Sequence, residues 1–329
     1  MALESLLQIK DLTVGYGNIE IVKDINFTLK RGEILGIVGE SGCGKSTLLK
    51  AIMQLSGTGV VTKKGSILFE GTDMLSISKE ELRRIRGNRL GVVFQNPGGS
   101  LNPLRKIKHQ FIETMQSHRK INKKEAYKSI LNILSRLDLE DGERILNSFP
   151  FELSGGMNQR VAIALAMIME PELILADEPT SALDVTVQVQ VVEELLKLRE
   201  RFFTSIIMIT HNMGVVAKIA DKIGVMYAGE MVEYGEKNQI LETPIHPYTK
   251  ALLAAIPKID GKMPQGLPGR PFVFGESHKG CRFLSRCNCF SKECQEKTNH
   301  VSFVEKEHWS TCIKLDGVKS YGYSSIRSS

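Results

Sequence analysis

The sequence predicts an α/β fold with a largely parallel sheet, followed by a small cysteine-rich segment. Three observations support this prediction. Apolar runs and helix-like stretches alternate through residues 157–226, which is typical of parallel sheets. A glycine-rich loop, residues 39–47, lies between a strand-like run and a helix-like run. Beyond residue 256, prolines and glycines become frequent, and five of the six cysteines follow.

The first 160 residues begin with strands and continue with helices. Three apolar runs separated by turn glycines predict strands at residues 7–14, 25–29 and 34–38. A capping-box spacing predicts a helix over residues 78–86, and apolar periodicity behind Asn122 predicts another over 122–137. We therefore expect a mainly helical insert over about residues 97–160.

The next hundred residues alternate between the two element types. Helices are predicted at about residues 157–169 and 185–201, and strands at 173–176, 205–209 and 222–226. The linker-like composition that follows predicts a domain boundary near residue 258. The expected domains are residues 1–258 and a C-terminal extension, residues 259–329.

The overall composition is that of an ordinary globular chain. The 329 residues are 42% hydrophobic and 24% charged, and the net charge of +6 suits phosphate ligands without indicating a nucleic acid partner. The longest apolar run, residues 161–169, is about half of what a membrane span needs, and the first residues lack a secretory signal pattern. We expect an intracellular chain that reaches the membrane through partners.

The glycine-rich loop has the composition of a nucleotide phosphate site. Residues 39–47, GESGCGKST, fit the pattern G-x-x-x-x-G-K-[ST] in the strand–loop–helix context that the pattern requires. Its backbone N–H groups and the Lys45 ammonium are suited to the phosphates, and the Ser46 hydroxyl to Mg²⁺. The predicted ATP contacts in this phosphate loop are Gly39, Ser41, Gly42, Cys43, Gly44, Lys45, Ser46 and Thr47.

A second set of polar residues follows a predicted buried strand. The run Leu-Ile-Leu-Ala at residues 173–176 is followed by Asp177 and Glu178. Asp177 can hold Mg²⁺ through water, and Glu178 can orient or deprotonate the attacking water. Together with the phosphate loop, this pair predicts nucleotide hydrolysis.

The string LSGGMNQR at residues 153–160 resembles the signature loop of the ATP-binding subunits of ABC transporters. The resemblance covers roughly residues 5–256 and implies a nucleotide-binding domain with a RecA-like core, an N-terminal antiparallel β subdomain and a helical insert. It implies that Tyr16 stacks on adenine. It also implies that Gln95 contacts Mg²⁺ or water, and that His211 bonds the γ-phosphate and helps to position Glu178.

In ABC transporters two such domains pack head to tail around ATP. The resemblance therefore implies that a second set of residues contacts the ATP held by a homologous partner ATPase. These residues are Ser154, Gly155, Gly156 and Asp184. Since the γ-phosphate would then join the two chains, hydrolysis would release them.

Three longer strings indicate which subfamily of ABC transporters the chain resembles. NPGGSLNPL after Gln95, TSALDVTVQVQ after Glu178 and HPYTKALLAAIP at residues 246–257 resemble the oligopeptide, dipeptide and nickel importers. The resemblance implies a peripheral subunit on the cytoplasmic face of the membrane, with two permeases, an external binding protein and a distinct paralogous ATPase as partners. Import of short peptides is the expected function. Nickel import is the alternative, and a soluble non-transport ABC ATPase is a more remote one.

The cysteines of the extension predict a metal site. In a reducing compartment such a cluster indicates metal ligation rather than disulfides, and spacing alone leaves zinc and iron–sulfur equally open. The extension is similar to that of peptide importer ATPases, which implies a [4Fe-4S] cluster. The implied ligands are Cys281, Cys287, Cys294 and Cys312, with Cys289 as an alternative third ligand. Arg282 departs from the proline usual in that family.

Overall fold

The computed structural model describes residues 5–55, 59–95, 100–181, 184–256, 266–276, 278–296, 301–305, 307–313 and 320–321. The strands are β1 (Ser5–Tyr16), β2 (Ile19–Lys30), β3 (Ile34–Val38), β4 (Val60–Phe69), β5 (Thr72–Asp73), β6 (Leu90–Val93), β7 (Leu173–Asp177), β8 (Ser205–Thr210), β9 (Lys222–Tyr227), β10 (Glu230–Glu236), β11 (Val301–Glu305), β12 (His308–Ser310) and β13 (Ser320–Tyr321). The helices are α1 (Lys45–Ile52), α2 (Lys79–Ile85), α3 (Ile107–His118), α4 (Lys123–Arg136), α5 (Gly142–Asn147), α6 (Gly155–Met167), α7 (Val185–Phe202), α8 (Met213–Ile219), α9 (Lys237–Glu242), α10 (Pro247–Ala254) and α11 (Glu293–Glu296). Two short 3₁₀ turns are Pro150–Glu152 and Leu284–Arg286.

The chain divides into two compact units. The first comprises residues 1–6, 29–34 and 76–210. Within it, β7 pairs in parallel with β6 on one side and with β8 on the other. The side chains of β8 are all buried, as are those of β7 except at its last residue, which is typical of parallel strands covered on both faces. The predicted parallel strands of this region are confirmed.

The helical part of the first unit agrees closely with the sequence prediction. The expected N-cap Asn122 accepts a hydrogen bond from the Glu125 backbone N–H at 2.9 Å and starts α4. This helix buries one apolar face, and α3 and α5 pack against it. At α2, Ser78 and Glu81 form both hydrogen bonds of the predicted capping box. Residues 96–99, at the start of the predicted insert, lie outside the described residues.

The second unit comprises residues 7–28, 35–75 and 211–329. A four-stranded sheet of order β2-β1-β4-β5 forms one part of it, and β4 runs antiparallel to both β1 and β5. Gly65 in β4 has φ +94°, and a Cβ there would lie 2.4 Å from the Lys10 carbonyl oxygen. Glycine therefore permits the close approach of β4 to the irregular middle of β1. This sheet matches the expected antiparallel β subdomain.

The remaining strands of the second unit add antiparallel pairs that the sequence analysis did not predict. Strands β3 and β9 are parallel, but β9, β10, β12, β11 and β13 pair in that order as antiparallel neighbours. The extension therefore adds strands to β10, with Tyr234 opposite Trp309. This pairing satisfies an edge of β10 that would otherwise be open. The predicted boundary near residue 258 falls in 257–265, outside the described residues.

Across the part of the chain that the structure describes, none of the helices combines the length and the apolar character that a bilayer crossing needs.

Candidate functional site

The phosphate loop joins β3 to α1 and depends on glycine at two points. Gly44 is the N-cap of α1 and has φ +105°, a backbone conformation that side chains disfavour. At Gly39, a Cβ would lie 2.1 Å from the carbonyl oxygen of Met226 in β9. The loop is therefore shaped as the sequence predicts, with its exposed tip at Ser41 and Gly42.

Lys45 is held inside this loop. The residue is 5% exposed, and its ammonium donates hydrogen bonds to the carbonyl oxygens of Gly39 at 2.7 Å and Glu40 at 2.9 Å. The Cys43 Sγ lies 3.7 Å from the Lys45 Nζ, and burial raises the pKa of that thiol. The Lys45 ammonium, which is expected to bind phosphate, is thus hydrogen-bonded to loop carbonyls and lies beside the neutral Cys43 thiol.

Two further predicted contacts belong to the second unit. Tyr16 ends β1 and is partly exposed, and Gly59 lies beside its ring. His211 is exposed and directly follows the buried strand β8. Asn212, the next residue, caps α8 through hydrogen bonds from the N–H groups of Gly214 and Val215. The cap determines where the chain turns after His211.

The two predicted acids lie at the end of β7 in the first unit, as expected. Glu178 has φ +46°, a left-handed conformation that is uncommon for a residue other than glycine. Its N–H donates to the Ile209 carbonyl at 2.7 Å, and its own carbonyl accepts from Ser181. The Gln95 side-chain amide donates to the Glu178 carboxylate at 3.2 Å. The structure thus brings Gln95 and Glu178 together.

The signature residues lie at a helix start on the surface of the first unit. Ser154 caps α6 by accepting a hydrogen bond from the Met157 N–H at 3.2 Å, and Gly155 is exposed with open space around its Cα. A Cβ at Gly156 would lie 2.9 Å from Val187 in the first turn of α7. The starts of α6 and α7 are therefore adjacent.

Asp184 begins α7 in the same way. It is exposed, and its carboxylate accepts a hydrogen bond from the Val187 N–H at 3.0 Å. Its neighbours Ala182 and Leu183 lie outside the described residues. All of the residues expected to face a partner's ATP thus belong to one exposed surface, the adjoining N-termini of two helices.

A contact that the sequence analysis missed comes from the HPY string. His246 caps α10 by accepting a hydrogen bond from the Tyr248 N–H at its Nδ1, 3.1 Å away. Burial lowers the pKa of His246 to about 4, which keeps the ring neutral and Nδ1 able to accept. The Tyr248 hydroxyl in turn accepts a hydrogen bond from the Glu40 N–H at 2.9 Å. The HPY string therefore supports the phosphate loop, although only its family resemblance was apparent in the sequence.

Five cysteines of the extension line one cavity that is partly open to solvent. The lining residues are His246, Pro247, Cys281, Phe283, Leu284, Cys287, Cys289, Phe290, Cys294, Thr311, Cys312 and Ile313. We call this space the cysteine cavity. Burial raises the pKa of Cys281 to about 11 and that of Cys287 to about 12. These two thiols are thus protonated at neutral pH when no metal is bound.

The geometry of the cysteine cavity does not form a closed metal site. The Cys287 and Cys289 sulfurs are 3.6 Å apart, and the Cys281 N–H donates to the Cys294 carbonyl at 2.8 Å. Among the described residues, no group of three or more His, Cys, Asp or Glu side chains is arranged to hold a metal ion. The predicted cluster is therefore not confirmed, although its four expected ligands and the alternative Cys289 share one cavity.

Arg282, the departure from the family pattern, has a clear structural role. It pairs with Glu230 at 3.2 Å and donates a hydrogen bond to the Ala228 carbonyl. The Gly229 N–H, between those two residues, donates to the Cys43 carbonyl of the phosphate loop at 2.8 Å. Arg282 thus ties the extension to the β9–β10 turn beside the loop.

Two family profiles match the chain. The profile of the ABC transporter family matches residues 22–181, and that of the oligopeptide/dipeptide transporter C-terminal region matches residues 232–294. An oligopeptide transport ATP-binding protein, OppD, of Haemophilus influenzae is 43% identical over 88% of this chain and 91% of that relative. A dipeptide transport ATP-binding protein, DppD, of Lactococcus lactis subsp. cremoris is 40% identical over 87% of this chain and 84% of that relative.

Solved structures agree with this result. CbiO1 of Clostridium perfringens, part of an ABC transporter complex, superposes with a TM-score of 0.64 at 27% identity, covering 73% of this chain and 92% of that one. A bacterial ABC transporter cassette solved as a dimer gives a TM-score of 0.62 at 30% identity, covering 70% and 98%. The expected nucleotide-binding fold is confirmed.

Proposed function

This chain belongs to the ATP-binding proteins of ABC transporters, in the oligopeptide/dipeptide branch, and we propose that it hydrolyses ATP to drive the import of short peptides. One observation carries the hydrolytic part: the Gln95 amide meets the Glu178 carboxylate at the end of β7. The peptide part rests on relatives that are named for oligopeptide and dipeptide transport and match over most of their length.

ATP binding starts at the phosphate loop. The Lys45 ammonium exchanges the Gly39 and Glu40 carbonyls for phosphate oxygens, and the start of α1 favours the anion. Ser46, Gln95 and Asp177 are the oxygen donors suited to Mg²⁺, which when bound neutralises developing phosphate charge. Tyr16, which is partly exposed, stacks its ring on adenine.

Hydrolysis requires a water held in line with the γ-phosphate. The Glu178 carboxylate orients that water and accepts its proton, while Gln95, already bonded to Glu178, fixes the direction of the carboxylate. His211 donates to the γ-phosphate. Hydrogen bonds of the Glu178 backbone hold this residue in its left-handed conformation, and they therefore fix the direction in which its side chain leaves the backbone.

The partners follow from the exposed surface formed by the starts of α6 and α7. Ser154, Gly155, Gly156 and Asp184 contact the ATP of a homologous ATPase, in our proposal a distinct paralogue. A solved relative that forms a dimer supports the pairing of two ATPase chains. The pair works at the cytoplasmic face of the membrane with two permeases, which receive the peptide from an external binding protein.

We further propose that the cysteine cavity holds a [4Fe-4S] cluster. Cys281, Cys287, Cys294 and Cys312 would hold it, with Cys289 as the alternative third ligand. The support is the donor set, since five soft thiols line one largely apolar cavity, and zinc is the competing metal. The cluster would brace the extension rather than transfer electrons, because ATP-driven import needs none.

Uptake by cells tests the main proposal. Cells that carry Lys45→Ala should lose uptake of a labelled short peptide and keep uptake of labelled nickel, because the variant lacks the phosphate-binding ammonium. Lys50→Ala, on the same helix, is the matched control and should transport normally. Loss of nickel uptake with normal peptide uptake would replace the peptide proposal with the nickel alternative.

A further inference from the structure

An arginine of the extension reaches into the phosphate loop. Arg286 donates two hydrogen bonds to the Glu40 carboxylate, at 2.7 and 2.9 Å, across 246 positions in sequence. Its side chain is 3% exposed, and that of Glu40 is 27% exposed. A bidentate pair with so little solvent around the arginine is both strong and geometrically specific.

The remaining contacts of Arg286 fix where its guanidinium lies. Its Nε donates to the Pro268 carbonyl at 2.7 Å, and its guanidinium carbon lies 5.8 Å from the centre of the Tyr227 ring. Its neighbours Leu284 and Cys287 line the cysteine cavity. The arginine is therefore held by the extension and by β9 as well as by the loop that it contacts.

Glu40, the second residue of the phosphate loop, is consequently held at three points. Arg286 holds its carboxylate, the Tyr248 hydroxyl accepts from its N–H, and its carbonyl accepts from Lys45. The last contact is the one that Lys45 gives up when it meets phosphate. The position of Glu40 therefore determines where the Lys45 ammonium lies before ATP binds.

We propose that Arg286 is a positioning residue for nucleotide binding, which acts through Glu40 to hold the phosphate loop in its ATP-binding conformation. This inference rests on the proposed function, because it presumes that the loop binds ATP. Arg286 also neutralises a carboxylate that would otherwise repel the phosphates. The C-terminal extension thus contributes directly to the ATP site.

Steady-state kinetics separate this role from a merely structural one. Arg286→Met should raise the KM and the Kd for ATP about tenfold, within the usual range of coupling between sites. The kcat should stay near that of the unaltered protein, because Glu178 and Gln95 are untouched. Arg286→Lys, which keeps the charge but loses the bidentate geometry, should recover part of the affinity.

A double-mutant cycle tests the route through Glu40. Glu40→Gln should weaken ATP binding by itself. The double variant Arg286→Met/Glu40→Gln should bind ATP no more weakly than Arg286→Met. Both substitutions break the same Arg286–Glu40 interaction, and Glu40→Gln also removes the carboxylate that Arg286→Met leaves unpaired. Circular dichroism and thermal melting will show whether Arg286→Met folds. If it does not, Glu40→Gln tests the same interaction.

Arg270→Met is the matched control, since Arg270 is an exposed arginine of the same extension. It should leave the KM, Kd and kcat unchanged. A folded Arg286→Met that lowers the melting temperature but binds ATP normally would overturn the inference, as would strictly additive losses in the cycle. If the unaltered protein itself does not bind ATP, the proposed function fails instead.

Discussion

At the scale of single residues, Glu178 combines strain with chemistry. A non-glycine residue with φ +46° is stable only where its surroundings hold it, and such residues concentrate at functional sites. Here the hydrogen bonds to Ile209 and from Ser181 supply that restraint, and Gln95 meets the carboxylate. The backbone thus aims the side chain that we propose as the base.

Glu178→Gln should therefore reduce ATP turnover by about 10²–10⁴-fold, the usual contribution of a general base. ATP binding should persist, because the phosphate loop is unchanged. Phosphate release and retention of labelled ATP on a filter measure the two effects separately. Glu193→Gln, an exposed acid on α7, is the control and should hydrolyse ATP normally; turnover near normal in Glu178→Gln would remove Glu178 from its role.

At the scale of elements, the extension is joined to the nucleotide-binding part of the second unit in three ways. Strand β12 pairs with β10, Arg282 contacts the turn between β9 and β10, and Arg286 contacts the phosphate loop. Phe283, between these arginines, packs its ring 5.1 Å from that of Tyr227. The elements around the cysteine cavity are thus continuous with those that support the phosphate loop.

Metal analysis tests the proposed cluster of the extension. Protein purified without oxygen should be brown and carry about four irons per chain, because four thiolates are the usual ligands of a [4Fe-4S] cluster. Cys287→Ser should lose most of the iron, whereas Cys43→Ser, which lies outside the cavity, should keep it. Comparing Cys289→Ser with Cys294→Ser identifies the third ligand. A colourless protein loaded with zinc would contradict the prediction.

At the scale of the whole molecule, the exposed starts of α6 and α7 form, in our proposal, one half of an ATP site. Ser154 and Asp184 accept the hydrogen bonds that cap these helices, and both lie on the surface; Gly155 and Gly156 follow Ser154. Such a surface can receive the phosphate groups of a nucleotide bound elsewhere. We therefore expect a second ATPase chain to complete it.

The Glu178→Gln chain should stay monomeric with ATP and Mg²⁺ on its own, and should form a stable one-to-one pair when co-expressed with the transporter's second ATPase. ATP that cannot be hydrolysed keeps the interface closed. Light scattering after gel filtration gives the masses. Adding Ser154→Arg should abolish the pair, because the new side chain fills the space needed for the γ-phosphate of the ATP that the partner holds. A stable homodimer of the Glu178→Gln chain would contradict the proposal that the partner is a distinct paralogue.

The sequence by itself determined the elements and motifs that are local. The phosphate loop, the acids after β7 and the caps at Asn122 and Ser78 could all be read from short patterns, since their hydrogen bonds join residues a few positions apart. The family strings added the expected roles of Tyr16 and His211, which composition and spacing could not provide.

Only the tertiary structure decided the long-range contacts. The antiparallel strands beyond β9, the contact of Tyr248 with Glu40 and the pair of Arg286 with Glu40 join distant parts of the chain. No pattern in the sequence around a single arginine or tyrosine identifies the residue that it will contact. Folding selects such partners because burying a charge or a polar hydrogen is favourable only where a complementary group is already in place.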